Sequence, residues 1–137
     1  MGGMGLSVND ILSGAPTRLF LGGEFRDASD GGTFEVINPS DGSVLTEVAS
    51  ATEEDARRAL DSLCAAQSDW AATPARERCE ILRRAFELIM AHEEELTYLQ
   101  SAELGRALPD SRGEVSYGAE FFRWFAEEGV RVRGDYR

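Results

Sequence analysis

The chain has 137 residues, of which 42% are hydrophobic, and its formal net charge is −11. This hydrophobic content is typical of a globular protein and excludes an intrinsically disordered one. The negative charge disfavours nucleic acids and anionic membranes as partners, because both are bound through Lys and Arg. All 14 basic residues are arginines, so no step that needs a lysine, such as a Schiff base, occurs on this chain.

The cysteine content and the N-terminal composition bear on the cellular compartment. Two cysteines are too few for a disulfide scaffold, and neither a signal peptide nor a membrane-spanning run is found. We therefore expect a cytoplasmic protein with reduced thiols. Residues 1–16 are rich in Gly and Ser and show little periodicity. We expect them to form a flexible lead-in.

Residues 17–50 are expected to form short strands joined by turns, as a hairpin or a meander. Residues 33–37 alternate as a half-buried strand does, and residues 43–48 return as its partner. The Asn-Pro-Ser-Asp-Gly run at 38–42 is a strong turn signal, since its proline fixes φ and its glycine tolerates a positive φ. An isolated hairpin is marginally stable, so this unit needs another element to pack on.

From residue 52 onwards the apolar spacing becomes helical, and about four helices are predicted. The first has Thr52 as its N-cap, with acidic residues in its first turn, and is expected to end before Trp70. The second is expected to begin with Thr73 as N-cap and Pro74 at its first helical position. Both have a clear apolar stripe.

The third and fourth helices complete this predicted group. The third runs from about residue 93 to residue 104, and Gly105 is its C-terminal stop. The fourth begins at Pro109 and fades near Gly129. The chain is therefore a small strand unit followed by about four helices, with no internal repeat and no linker.

The side chains that carry chemistry are few, and each has a more common structural role. Cys64 and Cys79 are candidate nucleophiles, but both fall in amphipathic helices, where cysteine behaves as a small buried or half-buried hydrophobe. His92 has no metal-ligand spacing around it and is interpreted as a solvated helix start. The acidic clusters 53–55 and 127–128 are interpreted as a helix N-terminus and a solvated helix face, without burial. Because no glycine-rich phosphate motif occurs either, no catalytic, cofactor-binding or metal-binding residue is assigned.

The run Phe121-Phe122-Arg123-Trp124-Phe125 is the most unusual local feature. On a helix, Phe121 and Phe125 share one face, with Phe122 and Trp124 flanking it. Packing in a core is the favoured interpretation, because that is the usual fate of large apolar residues. The functional alternative is an apolar wall that a ligand passes.

Several short strings, taken in order, resemble the start of the aldehyde dehydrogenase superfamily. Each is weak alone, but their order and spacing over nearly all of residues 18–137 make the match strong. The branch that the chain resembles most is succinate-semialdehyde dehydrogenase. The strings include Leu19-Phe20-Leu21-Gly22-Gly23-Glu24-Phe25, Phe34-Glu35-Val36-Ile37-Asn38-Pro39, Arg76-Glu77-Arg78, Ala102-Glu103-Leu104-Gly105-Arg106 and Phe121-Phe122-Arg123-Trp124-Phe125-Ala126-Glu127-Glu128.

This resemblance implies an α/β fold of the aldehyde dehydrogenase type, of which the chain is an N-terminal fragment. Residues 17–137 would form the incomplete N-terminal part of the cofactor-binding domain. The full-length family uses NAD or NADP to oxidise an aldehyde to a carboxylate, with a Cys nucleophile and a Glu that activates water. In the family those residues and the cofactor motifs lie beyond the position of Arg137. The isolated chain is therefore expected to be inactive and to bind no cofactor.

The resemblance also implies a place for the last helix, beside the substrate tunnel. Gly113, Tyr117 and Phe121 lie at successive turns of one side of that helix and would face the tunnel. The implied partners are the remainder of the dehydrogenase chain and, in the full-length family, further copies in a homo-oligomer. Two alternatives stay open: a truncated, non-catalytic interaction module that binds a partner through its helix faces, and an inert gene remnant.

Overall fold

The computed structural model describes residues 7–131 of the chain. In these residues two short hairpins are followed by a group of helices, as the sequence predicts. The elements, in chain order, are α1 Val8–Gly14, β1 Leu19–Leu21, β2 Glu24–Arg26, β3 Thr33–Ile37, β4 Val44–Ala49, α2 Glu53–Ala72, α3 Ala75–Ala91, α4 Glu93–Leu104, α5 Leu108–Glu128 and a 3-10 turn, Gly129–Arg131.

Helix α1 is an element that the composition of residues 1–16 does not predict. Ser7 is its N-cap, and the Ser7 Oγ accepts a hydrogen bond from the backbone N–H of Asp10 at 3.2 Å. A serine N-cap that accepts a hydrogen bond from the third amide of a helix stabilises the start of that helix. The overall Gly and Ser content of the segment does not reveal such a cap. The helix packs against α4. Residues 1–6 of the expected lead-in lie outside the described residues.

The strands form two separate antiparallel hairpins. In the first, Phe20 faces Phe25 across β1 and β2, with their ring centroids 5.0 Å apart, and Gly22 and Gly23 supply the positive φ angles of the turn. In the second, β3 pairs with β4 and carries an irregularity next to Ile37. The hairpin prediction is therefore confirmed, and it applies twice.

The boundary between α2 and α3 differs from its prediction. Helix α2 continues through Trp70 to Ala72, and Thr73 is its C-cap. Thr73 is therefore not the N-cap of the next helix, because its hydroxyl donates to the backbone carbonyl of Asp69 at 2.9 Å. Helix α3 has Pro74 as N-cap and no side-chain cap hydrogen bond. The prediction was wrong because a threonine hydroxyl between two helices can donate to a backbone carbonyl of the preceding helix as well as accept from a backbone amide of the following one.

The ends of α4 and α5 follow their predictions closely. Gly105 ends α4 with a φ of 67°, in the left-handed region, and its backbone N–H donates to Ser101. Helix α5 begins at Leu108, one residue before Pro109, and Gly129 is its C-cap. A side chain at position 105 is disfavoured for two reasons. The φ angle is left-handed, and a Cβ there would lie 2.8 Å from Cγ of Pro39 in the turn of the second hairpin.

A buried carboxylate fastens the start of α2 to the loop between the hairpins. Asp55 is 3% exposed, and one of its oxygens accepts from the backbone N–H of Thr52 at 2.9 Å and of Ser29 at 3.0 Å. Hydrogen bonds from the Thr52 and Ser29 backbones lower the pKa of Asp55 to about 2. The interpretation of 53–55 as a helix N-terminus is confirmed, since Asp55 forms a capping box with Thr52. The expectation that this cluster is not buried is wrong for Asp55.

The helices α3, α4 and α5 pack on one another, yet little of the chain is fully buried. Among the residues that the structure describes, the buried hydrophobic side chains are Ala28, Cys79 and Ala119. The accessible surface is 10315 Å². A compact monomer of 15.0 kDa exposes only about 7,000 Å². Large hydrophobic side chains such as Leu63, Tyr117 and Trp124 are exposed, so the described elements present apolar surface that the chain itself leaves uncovered.

We predict that Gly105→Ala destabilises the chain while Gly113→Ala does not. The first change forces a Cβ into the left-handed region, which costs about 1–2 kcal/mol, and pushes it against Pro39. The second lies inside α5 with no neighbouring atom within 4 Å, so it should stabilise by about 0.5–1 kcal/mol. Urea unfolding of both variants measures the difference. Equal midpoints would contradict the close contact with Pro39.

We also predict that the stabilising effect of Asp55 is lost in acid. The folded state lowers its pKa from 3.8 to about 2, so the unfolded state binds the proton more readily. The contribution is therefore complete above the unfolded pKa of about 3.9 and disappears as pH falls through about 2. Wild type should be more stable than Asp55→Asn at pH 7, and the difference should shrink across that window.

Thermal melts of the two proteins from neutral pH down to acid measure this effect. Glu53→Gln is the matched control, because Glu53 lies in the same helical turn but is exposed. A stability difference between wild type and Asp55→Asn that stays constant down to pH 2 would show that the carboxylate charge is unimportant there.

Candidate functional site

Helix α5 lies against both α3 and α4, and the side that makes these contacts carries small residues. Ser111 is 0% exposed and Ala119 is 1% exposed, while Val115 between them is half-buried. With about 3.6 residues per turn, these three positions share one side of the helix. Small side chains there allow the helix axes to approach closely, as in other tightly packed helix pairs.

The opposite side of α5 carries large aromatic residues, which we call the α5 aromatic surface. This surface consists of Tyr117, Phe121, Trp124 and Phe125. Their side chains are 67%, 48%, 65% and 56% exposed, in that order. Together with Glu120 they line an open groove of about 350 Å³. Within it the Tyr117 and Phe121 rings meet edge to face, with centroids 5.0 Å apart.

The structure places the three tunnel residues of the sequence prediction on this side of α5, but not all in the groove. Tyr117 and Phe121 line it together, whereas Gly113 lies one turn earlier, outside the lining. Core packing, the favoured interpretation of the aromatic run, is wrong within this chain, because all four of its aromatic side chains are exposed, Phe122 the least at 39%. A helical periodicity shows which residues share a face but not which face meets a neighbour.

A polar network between α4 and α5 holds this orientation. Glu114 on α5 forms an ion pair with Arg106 and accepts a hydrogen bond from Nε2 of Gln100 at 2.6 Å. The hydrogen bond from Arg106 is the main cause of a lowered Glu114 pKa. Two residues further on, the Ser116 hydroxyl donates to a carboxylate oxygen of Glu93 at 2.7 Å. These contacts oppose rotation of α5 about its axis, and so they keep the aromatic side outward.

A second groove, of about 540 Å³, lies between α1 and the junction of α3 and α4. Its lining is mainly aliphatic and includes Ile11, Leu88 and Leu96. His92 stands at its rim as the C-cap of α3 and the N-cap of α4, with Nδ1 2.5 Å from a carboxylate oxygen of Glu95. The interpretation of His92 as a helix start is confirmed.

The two cysteines have different surroundings, and neither is part of the grooves described above. Cys79 is buried on α3, so close to the end of α5 that a Cβ on Gly129 would lie 2.5 Å from its sulfur. Cys64 is exposed on α2, so the expectation of burial is wrong for it. Within residues 7–131 no group of three His, Cys, Asp or Glu is placed to hold a metal ion. Among those same residues, no helix combines the length and the apolar character that crossing a membrane requires.

The comparison that decides the family covers most of the chain. The model of the aldehyde dehydrogenase family matches residues 25–137. The chain belongs to the aldehyde dehydrogenase family. Both hairpin β3–β4 and all of helices α2 to α5 fall inside the matched range. The resemblance inferred from short strings of sequence is therefore confirmed.

Several relatives are semialdehyde dehydrogenases, and the two described next are succinate-semialdehyde dehydrogenases. A succinate-semialdehyde dehydrogenase of Paenarthrobacter nicotinovorans is 55% identical over 93 residues, which are 68% of this chain and 21% of that protein. The NADP(+) succinate-semialdehyde dehydrogenase of Escherichia coli is 41% identical over 115 residues, 84% of this chain and 24% of that protein. The chain thus spans about a quarter of the length of these curated relatives and matches the N-terminal part of the family.

Solved structures agree with the fold. An aldehyde dehydrogenase from Brucella melitensis biovar abortus aligns with a TM-score of 0.84 and 43% identity, over 87% of this chain and 25% of that one. A structure of PnpE in complex with nicotinamide adenine dinucleotide aligns with a TM-score of 0.84 and 34% identity, over 88% and 25%. The fragment expectation for the fold, an N-terminal piece of the dehydrogenase architecture, is confirmed.

The family is NAD(P)-dependent, and the sequence predicts no dinucleotide-binding residue in this chain. The groove on α5 is aromatic, and the Glu120 carboxylate in its lining pairs with Arg123. The sequence has neither a glycine-rich phosphate-binding loop nor a lysine that could bind a phosphate group.

Proposed function

We propose that the polypeptide to which this chain belongs is an NAD(P)-dependent dehydrogenase that oxidises an aldehyde to a carboxylate. The chain would supply the N-terminal part of its cofactor-binding domain, and the rest of the polypeptide would be its partner. The observation that carries the proposal is the 55% identity to a succinate-semialdehyde dehydrogenase. We place the protein in the cytoplasm, since both of its cysteines are free.

The descriptions of two relatives favour succinate semialdehyde as the substrate of the proposed dehydrogenase. Two succinate-semialdehyde dehydrogenases match this chain at 55% and 41% identity. Such a substrate has an aldehyde at one end of a short aliphatic chain and a carboxylate at the other. A tunnel with an apolar wall would suit the aliphatic part, and groups outside this chain would bind the carboxylate.

The part played by this chain is to shape the approach to the reacting centre. The α5 aromatic surface would form one wall of the substrate tunnel, with Tyr117 and Phe121 in contact with the aldehyde as it enters. Gly113, one turn earlier, would leave room at the end of that wall because it has no side chain. Aromatic side chains exclude water from a tunnel and so favour an aldehyde over its hydrate.

The isolated chain would be catalytically silent, and neither cysteine is the proposed nucleophile. A catalytic thiolate needs access and an environment that lowers its pKa. Cys79 lacks access, and Cys64 lies on an exposed face of α2. The nucleophile, the Glu that activates water and the cofactor site would all belong to the remainder of the polypeptide. A homo-oligomer of the whole protein is part of the same proposal.

A second candidate is a non-catalytic interaction module that binds a partner through its helix faces. The exposed α5 aromatic surface favours it, because a patch of large aromatic residues is typical of a binding surface. The two candidates differ in length. A dehydrogenase needs a polypeptide about four times as long as this chain, by comparison with its relatives, whereas a module can act with these residues alone.

The first prediction from the proposal concerns activity. The natural polypeptide, purified from its own cells, should have a mass far above 15.0 kDa. It should reduce NAD or NADP when given succinate semialdehyde. The 137-residue chain should show no such activity, with or without Cys64→Ser. A natural mass of 15.0 kDa, or a long polypeptide that reduces neither cofactor with any short semialdehyde, would contradict the proposal.

The second prediction tests the tunnel wall. In the whole enzyme, Tyr117→Ala should raise the KM for the aldehyde by about tenfold, as expected from the loss of a large apolar contact. It should also shift the preference among aldehydes of different chain length. Tyr117→Phe keeps the ring and is the matched control, with little change expected. Unchanged aldehyde preference in Tyr117→Ala would remove Tyr117 from the tunnel and leave the family assignment intact.

A further inference from the structure

Two polar side-chain atoms are enclosed where α4 and α5 meet, and neither has a hydrogen bond. Within residues 7–131, the buried side-chain nitrogen or oxygen atoms that lack a hydrogen-bond partner are Oε1 of Gln100 and Oγ of Ser111. Ser111 as a whole is 0% exposed. A polar group buried without a partner costs more free energy than a typical hydrogen bond contributes, so native structures rarely contain one.

The Ser111 hydroxyl has no acceptor in its own helix. Thr97 on α4 is equally buried, but its hydroxyl donates to the backbone carbonyl of Glu93, four residues earlier, at 2.7 Å. The corresponding carbonyl for Ser111 is that of Ala107, which already accepts from the backbone N–H groups of Asp110 and Ser111, both at 3.0 Å. Because a carbonyl oxygen has two lone pairs, neither is left for the hydroxyl.

The Gln100 amide is held with its oxygen turned away from Glu114. Its Nε2 donates to a carboxylate oxygen of Glu114 at 2.6 Å. The hydrogen bond from Arg106 is the main cause of the lowered pKa of Glu114, so this carboxyl is ionised at neutral pH and only accepts. The amide must therefore keep its nitrogen toward Glu114, and Oε1 needs a donor from elsewhere.

Glu114 brings the two atoms into the same neighbourhood. Ser111 precedes Glu114 by three residues, so both lie on one side of α5, one turn apart, and Gln100 meets that side from α4. Ser111 offers a donor, and Gln100 offers an acceptor. We infer that one buried water molecule bridges them, accepting from the Ser111 hydroxyl and donating to Oε1 of Gln100.

The surroundings favour water over any other occupant. Ser111 has no exposed surface within this chain, so a side chain from another segment or another copy would have to separate the helices to reach it. A metal cation also binds to oxygen atoms, but the Arg106 guanidinium paired with Glu114 places a positive charge beside the site. A buried water needs roughly two to four polar partners, and the two orphaned atoms meet that requirement.

This water extends the polar network that orients α5. It satisfies Oε1 of Gln100 while Nε2 of the same amide holds Glu114. The network then runs from the first turn of α5 to α4 and back to the next turn of α5. The water is present whether or not the whole polypeptide oxidises an aldehyde, because its partners all belong to this chain.

A crystal structure of the natural polypeptide, at a resolution that shows ordered water, is the first test. We expect one density peak about 2.7–3.2 Å from both Oγ of Ser111 and Oε1 of Gln100. An enclosed site without density would overturn the inference, and so would a direct hydrogen bond between the two side chains. A peak with oxygen distances below about 2.6 Å, as for bound Ca²⁺, would identify a cation and overturn it too.

A double-mutant cycle in the natural polypeptide is the second test. Ser111→Ala and Gln100→Met each remove one partner of the water, whereas the double variant leaves neither atom orphaned. The fall in Tm of the double variant should therefore be clearly smaller than the sum of the two single shifts. Ser29→Ala, which removes a hydroxyl bonded to the distant Asp55, is the control and should add fully to Gln100→Met.

Two results of the cycle would contradict the shared water. Additive shifts for Ser111→Ala and Gln100→Met would show that the two side chains are independent. A Ser111→Ala protein that melts above wild type would show that the hydroxyl is orphaned rather than hydrated. If a variant fails to fold, the crystal structure of the wild-type polypeptide still decides the question.

Discussion

The close approach of α5 to α3 and α4 is the constraint on which the rest of the helical group depends. Ser111 and Ala119 have almost no exposed surface because the neighbouring helices come down onto them. A larger residue at either position would separate the helices, since a packed interface has no room for extra volume. Most of the large aromatic residues of α5 consequently lie on its other side, whereas Phe122 lines a groove shared with α3 and α4. The outward position of the aromatic groove therefore follows from the placement of the small residues against α3 and α4.

Polar contacts then fix the orientation of the elements. The ion pair of Glu114 and Arg106 joins α5 to the loop that follows α4, and Asp55 joins α2 to the loop between the hairpins. The first contact is partly exposed, so its value lies in the alignment of two helices more than in its free energy. Asp55 is enclosed, and its hydrogen bonds to backbone amides stabilise a helix start and a loop together.

Local signals in the sequence are sufficient for most of the fold. Thr52 and Gly105 are correctly predicted as helix ends, because capping depends on a few neighbouring residues. Ser7 carries a similar signal, but it is hidden in a Gly- and Ser-rich segment. Thr73 is misplaced because two helices compete for one residue, and only the three-dimensional arrangement decides between them.

The candidate site is harder to predict, for a physical reason. Periodicity places Tyr117 and Phe121 on one face of a helix, but both sides of α5 are apolar, and the pattern does not say which side packs within this chain. The burial of Asp55 is hidden in the same way, because Ser29, which shields it, is far away in sequence. The family resemblance supplies what the pattern lacks, since the relatives are much longer than this chain.

The contact between Gly105 and Pro39 has a consequence for how this part of the protein changes during evolution. The end of α4 and the turn of the second hairpin are far apart in the sequence, yet each restricts the residue that the other can accept. A side chain at 105 requires a smaller or displaced residue at 39. The two positions should therefore vary together among relatives, and a proline at 39 should be found where 105 is glycine.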